Sequence, residues 1–87
     1  MNEETVLNEN VVVKLIPYSS REVETFYHRF TDELSRQRML SLWQKEQRFA
    51  GYQLYENTVE GRQHYYIIVD YIVNPKLLHL KEKLKNV

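Results

Sequence analysis

The sequence predicts an α+β fold: an antiparallel sheet with helices on one face, a two-layer sandwich that pairs with a second copy through its sheet. The first supporting observation is the run His64-Tyr65-Tyr66-Ile67-Ile68-Val69-Asp70-Tyr71-Ile72-Val73, which is β-branched and aromatic with apolar groups at alternate positions on both sides. Successive strand side chains point to opposite faces, so such a strand needs cover on both. The second is the element order, strand, then helix or helix pair, strand, strand, helix. The third is size. Eighty-seven residues make one domain, and a domain this small buries only roughly 60–65% of its unfolded surface. Its own helices shelter one face of the sheet, and a second copy shelters the other.

Residues 1–10 are polar and expected to be loose, with Thr5-Val6-Leu7 able to add a short edge strand, and residues 11–87 form the single domain. Val11 to Ile16 is β-branched and reads as the first strand, closed by Pro17, which cannot donate to a ladder. Ser19 and Ser20 offer an N-cap, with Glu22 placed favourably for the helix dipole. Val23, Phe26, Tyr27, Phe30 and Leu34 recur at three- and four-residue steps, which predicts a helix. Met39, Leu40, Leu42, Trp43 and Phe49 fall off that stripe, so a break near Thr31 or Ser35 and a second helix stopped by Gly51 are expected.

Tyr52 to Glu56 alternates as the second strand, Asn57 to Gly61 carries turn chemistry, and the third strand runs from Arg62 to Val73, completing a hairpin. Asn74-Pro75 is a cap followed by a first-turn proline, and Leu77, Leu78, Leu80, Leu84 and Val87 stripe the last helix. The β-α(α)-β-β-α order is that of a ferredoxin-like sandwich, a split β-α-β arrangement with the third strand central between the other two.

Twelve basic residues balance twelve acidic ones, so the chain lacks the overall positive field behind non-specific nucleic-acid binding. Glu3, Glu4 and Glu9 make the N-terminus acidic and Lys76, Lys81, Lys83 and Lys85 make the C-terminus basic, a pattern of solvated ends or of a docking patch. No cysteine is present, which removes disulfides, thiolate nucleophiles and thiolate metal sites and suits a cytoplasmic protein. No apolar stretch spans a bilayer, and glutamates stand where a signal peptide needs positive charge.

His28, His64 and His79 form no pair at ligand spacing, so no metal site and no cofactor are expected. His79 is the best imidazole for an acid-base role, and Asp70, a carboxylate inside an apolar strand, needs a partner such as a nearby Arg or Lys. Trp43, Phe26, Phe30 and Tyr71 could line a pocket for a small apolar or aromatic ligand, against the plainer reading of core packing. Tyr65, Ile67, Val69, Tyr66 and Ile68 are the interface residues expected of a homodimer, with the choice of face left open. The tyrosines, with Arg36, Arg38, Lys45 and Arg48, raise single-stranded nucleic-acid binding. The small residues that separate stacking aromatics in an RNA-recognition motif are missing from Gln63 to Asp70, and no Gly-x-x-Gly occurs between the helices, which argues against this reading.

Phe49-Ala50-Gly51-Tyr52-Gln53-Leu54-Tyr55-Glu56, the hairpin after it, the helix start at Asn74-Pro75 and Leu77-Leu78-His79-Leu80 together resemble the dimeric α/β-barrel superfamily, specifically its antibiotic-biosynthesis-monooxygenase-like members. The resemblance spans residues 11 to 84 and stops short of that family's final strand. It implies a ferredoxin-like protomer whose sheet packs back to back with a second one. It also implies possible oxidation of a small aromatic or haem-like substrate, with Tyr71 the best counterpart of the family's tryptophan and His79 near its histidine. The leading expectation is a homodimeric binding or regulatory module. The alternatives are a cofactor-free monooxygenase-like enzyme with His79, Trp43 and Asp70 near its cavity, and a single-strand nucleic-acid binder.

Overall fold

The computed structural model describes residues 11–85. The edge strand expected at Thr5-Val6-Leu7, and Val87 of the last stripe, lie outside them. The elements are β1 (Val11–Lys14), a 3-10 turn (Ser20–Glu22), β2 (Val23–Phe30), α1 (Glu33–Gln44), β3 (Phe49–Val59), β4 (Arg62–Ile72) and α2 (Pro75–Lys85). The fold is α+β, with two helices and one open antiparallel sheet in the order β1-β3-β4-β2. Because β4 is antiparallel to both neighbours, β2 and β3 run parallel on either side of it. With α1 joining them they form a split β-α-β unit.

The segment expected to open the first helix is a strand. Val23 to Phe30 pairs residue by residue with β4, from Val23 opposite Ile72 to Phe30 opposite Tyr65, so β4 is central between β3 and β2, and among the described residues β1 pairs with β3 alone. The physical reason lies in which side chains share a face. Phe26, His28 and Phe30 alternate toward α1, while Thr25, Tyr27 and Arg29 alternate away from it. Tyr27 supplied the i+4 member of an apparent helical stripe, but it stands on the opposite face, 72% exposed.

The single helix of this half begins later. Asp32 is its N-cap, its carboxylate accepting from the Ser35 N–H at 2.8 Å and the Ser35 hydroxyl at 2.8 Å, so the break falls between the two positions expected. The helix ends at Gln44. Gly51, expected as its stop, lies instead within β3, beside a bulge between Phe49 and Gly51. A Cβ there would come within 2.5 Å of the Tyr18 hydroxyl and 2.6 Å of the Val13 carbonyl oxygen, so glycine is required by close approach.

α1 covers one face of the sheet. Met39, Leu40 and Trp43 pack on the fully buried Phe49, Ile67 and Val69, with Phe30, Tyr52 and Leu54 around them. α2 seats Leu77 against Ile16, Ala50 and Ile72, where β1 leaves the sheet, β3 enters and β4 ends. Lys81 anchors it by donating to the carbonyls of Gln47 at 2.9 Å and Phe49 at 2.5 Å.

The hairpin outruns its neighbours. Among the described residues β1 reaches only Leu54 and β2 only Tyr65, so residues 57–64 project as a two-stranded arm and the molecule measures 48 × 23 × 20 Å. The arm closes through Glu60 (φ 52°) and Gly61 (φ 77°), two successive positive φ angles as in a type I′ hairpin turn.

Candidate functional site: the uncovered face of the sheet

Directly opposed residues share a face, so the register reads out the side of the sheet away from α1. One row is Lys14, Gly51, Asp70 and Thr25, the next Val12, Gln53, Ile68 and Tyr27, and the next Tyr55, Tyr66 and Arg29. The arm continues the face with Asn57 opposite His64 and Val59 opposite Arg62. Tyr27, Val12, Gln53 and Arg29 are exposed, while Ile68, Tyr55 and Tyr66 are half-buried.

Three tyrosines cluster at its centre. The rings of Tyr55 and Tyr66 stack at 4.6 Å and 7°, and His64 meets Tyr66 edge-on at 6.3 Å. The Tyr55 phenol is held above its ordinary range, first by partial burial and then by the neighbouring hydroxyls of Tyr66 and Tyr27. Asn57 Oδ1 and His64 Nδ1, on the facing pair of the arm, are buried without a hydrogen-bond partner among the described residues.

Charge is sorted across the sheet. Of the charged residues in the strands, Lys14, Arg29, Arg62 and Asp70 fall on this face, while Glu24 and Glu56 fall on the other. Asp70 is engaged by hydroxyls rather than by the Arg or Lys expected: Tyr18 donates to Oδ2 at 2.5 Å and Thr25 to Oδ1 at 3.0 Å. That contact pins the β1–β2 connection across the end of the sheet, with Lys14 Nζ 4.6 Å over the Tyr18 ring. Burial, and then the Asp70 carboxylate that accepts its proton, push the Tyr18 phenol well above the usual range.

No family model, curated protein or solved structure matches this chain.

Of the five interface residues expected, only Tyr66 and Ile68 lie on the uncovered face. Ile67 and Val69 are fully buried beneath α1, and Tyr65 packs 5.3 Å from the Arg36 guanidinium on that same side. The basic cluster expected on the helix does not exist as a patch. Arg36 is buried, donating to the Tyr55 carbonyl at 3.0 Å and pairing with Glu56 at 3.3 Å; Arg48 donates to the Ile72 carbonyl; Arg38 and Lys45 are exposed. The cations that do share a face, Lys14, Arg29 and Arg62, were missed because their parity depends on register. Treating residues 23–30 as a strand would have placed Arg29.

The pocket candidates converge on one another. Phe26 stacks on Trp43 at 5.2 Å, and Tyr71 meets both edge-on at 6.0 and 5.8 Å, while Phe30 packs with His28. Trp43 Nε1 donates to His28 Nε2 at 3.2 Å, which pairs the indole N–H with the imidazole inside that layer of rings. What remains is an open depression of about 160 Å³ lined by Met39, Leu42, Trp43 and Glu46. A larger cleft of about 370 Å³ lies beside β1, lined in part by Val13, Leu15, Phe49, Tyr52 and Lys81. Trp43, Asp70 and His79 are not brought together: Trp43 lies on the sheet-facing side of α1, Asp70 on the far side of the sheet, and His79 is exposed on α2. Among the described residues no helix is long and apolar enough to cross a membrane.

Proposed function

We propose that this protein is a small cytoplasmic binding module, a ferredoxin-like protomer whose working surface is the uncovered face of its sheet. The observation that carries the reading is the Tyr27, Tyr55 and Tyr66 cluster beside Ile68, presented together with three cations on a face that the described helices meet only at its Ile72 end, through Leu77 of α2. Half-exposed rings with polar tips offer flat contact area at low entropic cost, and the cations favour an anionic group. The ligand class is thus a planar, anionic one. The chemistry of a monooxygenase-like enzyme draws no support from the separated positions of Trp43, Asp70 and His79, and the cysteine-free composition fits a reducing compartment.

The test is to titrate a naphthalene sulfonate, a flat aromatic anion, into isotope-labelled protein and map the amide shifts. Perturbations at Gln53, Tyr66, Ile68 and Tyr27 are expected. Shifts confined to Met39, Leu42 and Glu46 on α1, or none anywhere, would remove the reading.

A second copy is the competing occupant, favoured by the exposure of Val12 (58%) beside the half-buried Ile68 and by the benefit a small domain gains from added burial.

A further inference from the structure

We propose that the uncovered face binds a single-stranded polynucleotide, with bases stacking on Tyr27 and on the Tyr55–Tyr66 pair and phosphates meeting Arg29, Arg62 and Lys14. This rests on the reading of the face as the working surface and names its partner. Every base has a π-face, so exposed aromatic rings on a sheet form a sequence-tolerant platform, and cations around the rings follow the backbone. The structure supplies both in one place. Tyr27 is 72% exposed one strand away from the stacked tyrosines, Arg29 is directly opposite Tyr66, and Arg62 extends the face along the arm.

Charge distinguishes this partner from a second copy of the chain. Packing two such faces together by a twofold axis would place two sets of Lys14, Arg29 and Arg62 in one layer. Among the described strand residues the only carboxylates there would be the two Asp70 groups, each already accepting from Tyr18 and Thr25. Like charges brought together and desolvated oppose association. A polyanion meets the same three cations with opposite charge and releases its counterions as it does so. Duplex nucleic acid keeps its bases stacked on one another and cannot use the tyrosines. The overall neutrality of the chain does not conflict with this, because the strand carboxylates other than Asp70 project to the opposite side.

The experiment is fluorescence anisotropy of mixed-sequence oligonucleotides of about 12 residues, the scale of single-strand sites, as single-stranded RNA, single-stranded DNA and duplex. Salt is varied between roughly 50 and 200 mM. Saturable binding of a single strand is expected, with the duplex at least about tenfold weaker and a slope of log affinity against log salt near −2, from about −0.7 per phosphate contacted. The RNA and DNA arms report whether the 2′-hydroxyl is read.

Tyr27→Ala, at a site exposed enough to leave folding intact, is expected to weaken binding roughly five- to hundredfold. Arg29→Ala should make the slope shallower by about 0.7. Circular dichroism confirms that both variants fold. Absence of single-strand binding at low salt overturns the proposal, as does equal binding of duplex. Equal binding of polyglutamate, or a free protein that is already a dimer and is split by Tyr27→Ala, overturns it in favour of an acidic polypeptide or a second copy. If naphthalene sulfonate still maps to Tyr27, Tyr66 and Ile68 while oligonucleotides fail to bind, the partner falls and the working surface stands.

Discussion

At Gly51 the absence of one carbon atom lets the β1–β2 connection cross the end of the sheet. The Tyr18 hydroxyl and the Val13 carbonyl occupy the space a side chain would need, and Tyr18 uses that approach to reach Asp70. Gly51→Ala is therefore expected to lower stability in urea unfolding by about 1–3 kcal/mol or more, the usual range for overpacking, and adding Tyr18→Phe should not restore it, because the Val13 oxygen remains. Tyr18→Phe alone removes a hydrogen bond to a carboxylate at a half-exposed site, worth about 1–2 kcal/mol. It should also change the alkaline limb of the stability curve. The folded protein holds the Tyr18 and Tyr55 phenols above their ordinary value, whereas the unfolded chain ionises them near pH 10. Between those values the native state binds more protons, so stability is level below about pH 10 and falls above it. Unfolding free energies measured from pH 8 upward should show a shallower fall in Tyr18→Phe; an unchanged slope would mean that burial and Asp70 do not hold its phenol protonated in the folded protein.

Among the elements, α1 and the β3–β4 turn make separate demands on sequence. Ser35, through its N–H and hydroxyl, holds the Asp32 carboxyl below the usual carboxylate range. Its capping contribution is complete above the unfolded value, near 3.9, and is lost as pH falls through the lower folded value. Asp32→Ala should speed hydrogen exchange in the first turn of α1 near neutral pH, and the difference from the parent protein should shrink in acid. In the turn, Glu60 sits at φ 52°, a region that an L side chain enters at a cost but that asparagine tolerates. Glu60→Asn is expected to raise stability by up to about 1 kcal/mol, measured by chemical denaturation, whereas Gly61→Ala should lower it.

Elements also show where sequence reading succeeded and where it failed. The last helix was legible because Asn74-Pro75 and the leucine steps are local signals, and Asn74 Oδ1 does accept from the Lys76 N–H at 3.0 Å. The hairpin was legible from alternation and turn chemistry, although its first strand starts earlier, at Phe49, and runs closer to the turn, to Val59, than the expected Tyr52 to Glu56. Residues 23–30 were not. Val23, Phe26, Tyr27 and Phe30 satisfy a helical period, and His28 breaks the strand alternation because a polar ring sits on the buried side. Only the Trp43 indole, fifteen residues later and supplying its hydrogen bond, makes that position tolerable. Five of the eight residues in this segment are β-branched or aromatic, the one local signal that favours a strand.

For the molecule as a whole, two adjacent isoleucines point to opposite sides of the sheet. Ile67 is fully buried under α1 and Ile68 is half-buried on the uncovered face. Ile67→Asp should leave no cooperative thermal transition, since it buries an unpaired charge. Ile68→Asp should keep the fold. If a second copy occupies the face, Ile68→Asp would lower the mass in sedimentation at micromolar concentration. The charge on that face predicts a monomer in both parent and variant.

The sequence by itself determined an α+β chain with a doubly apolar central strand and a long hairpin, because strand alternation, turn residues and helix caps act over a few neighbours. Tertiary structure decided that the described residues form four strands rather than three, which face of the central strand is open, and which cations stand beside the tyrosines. Those outcomes depend on register between segments far apart in the chain, where a shift of one residue sends every side chain to the other side.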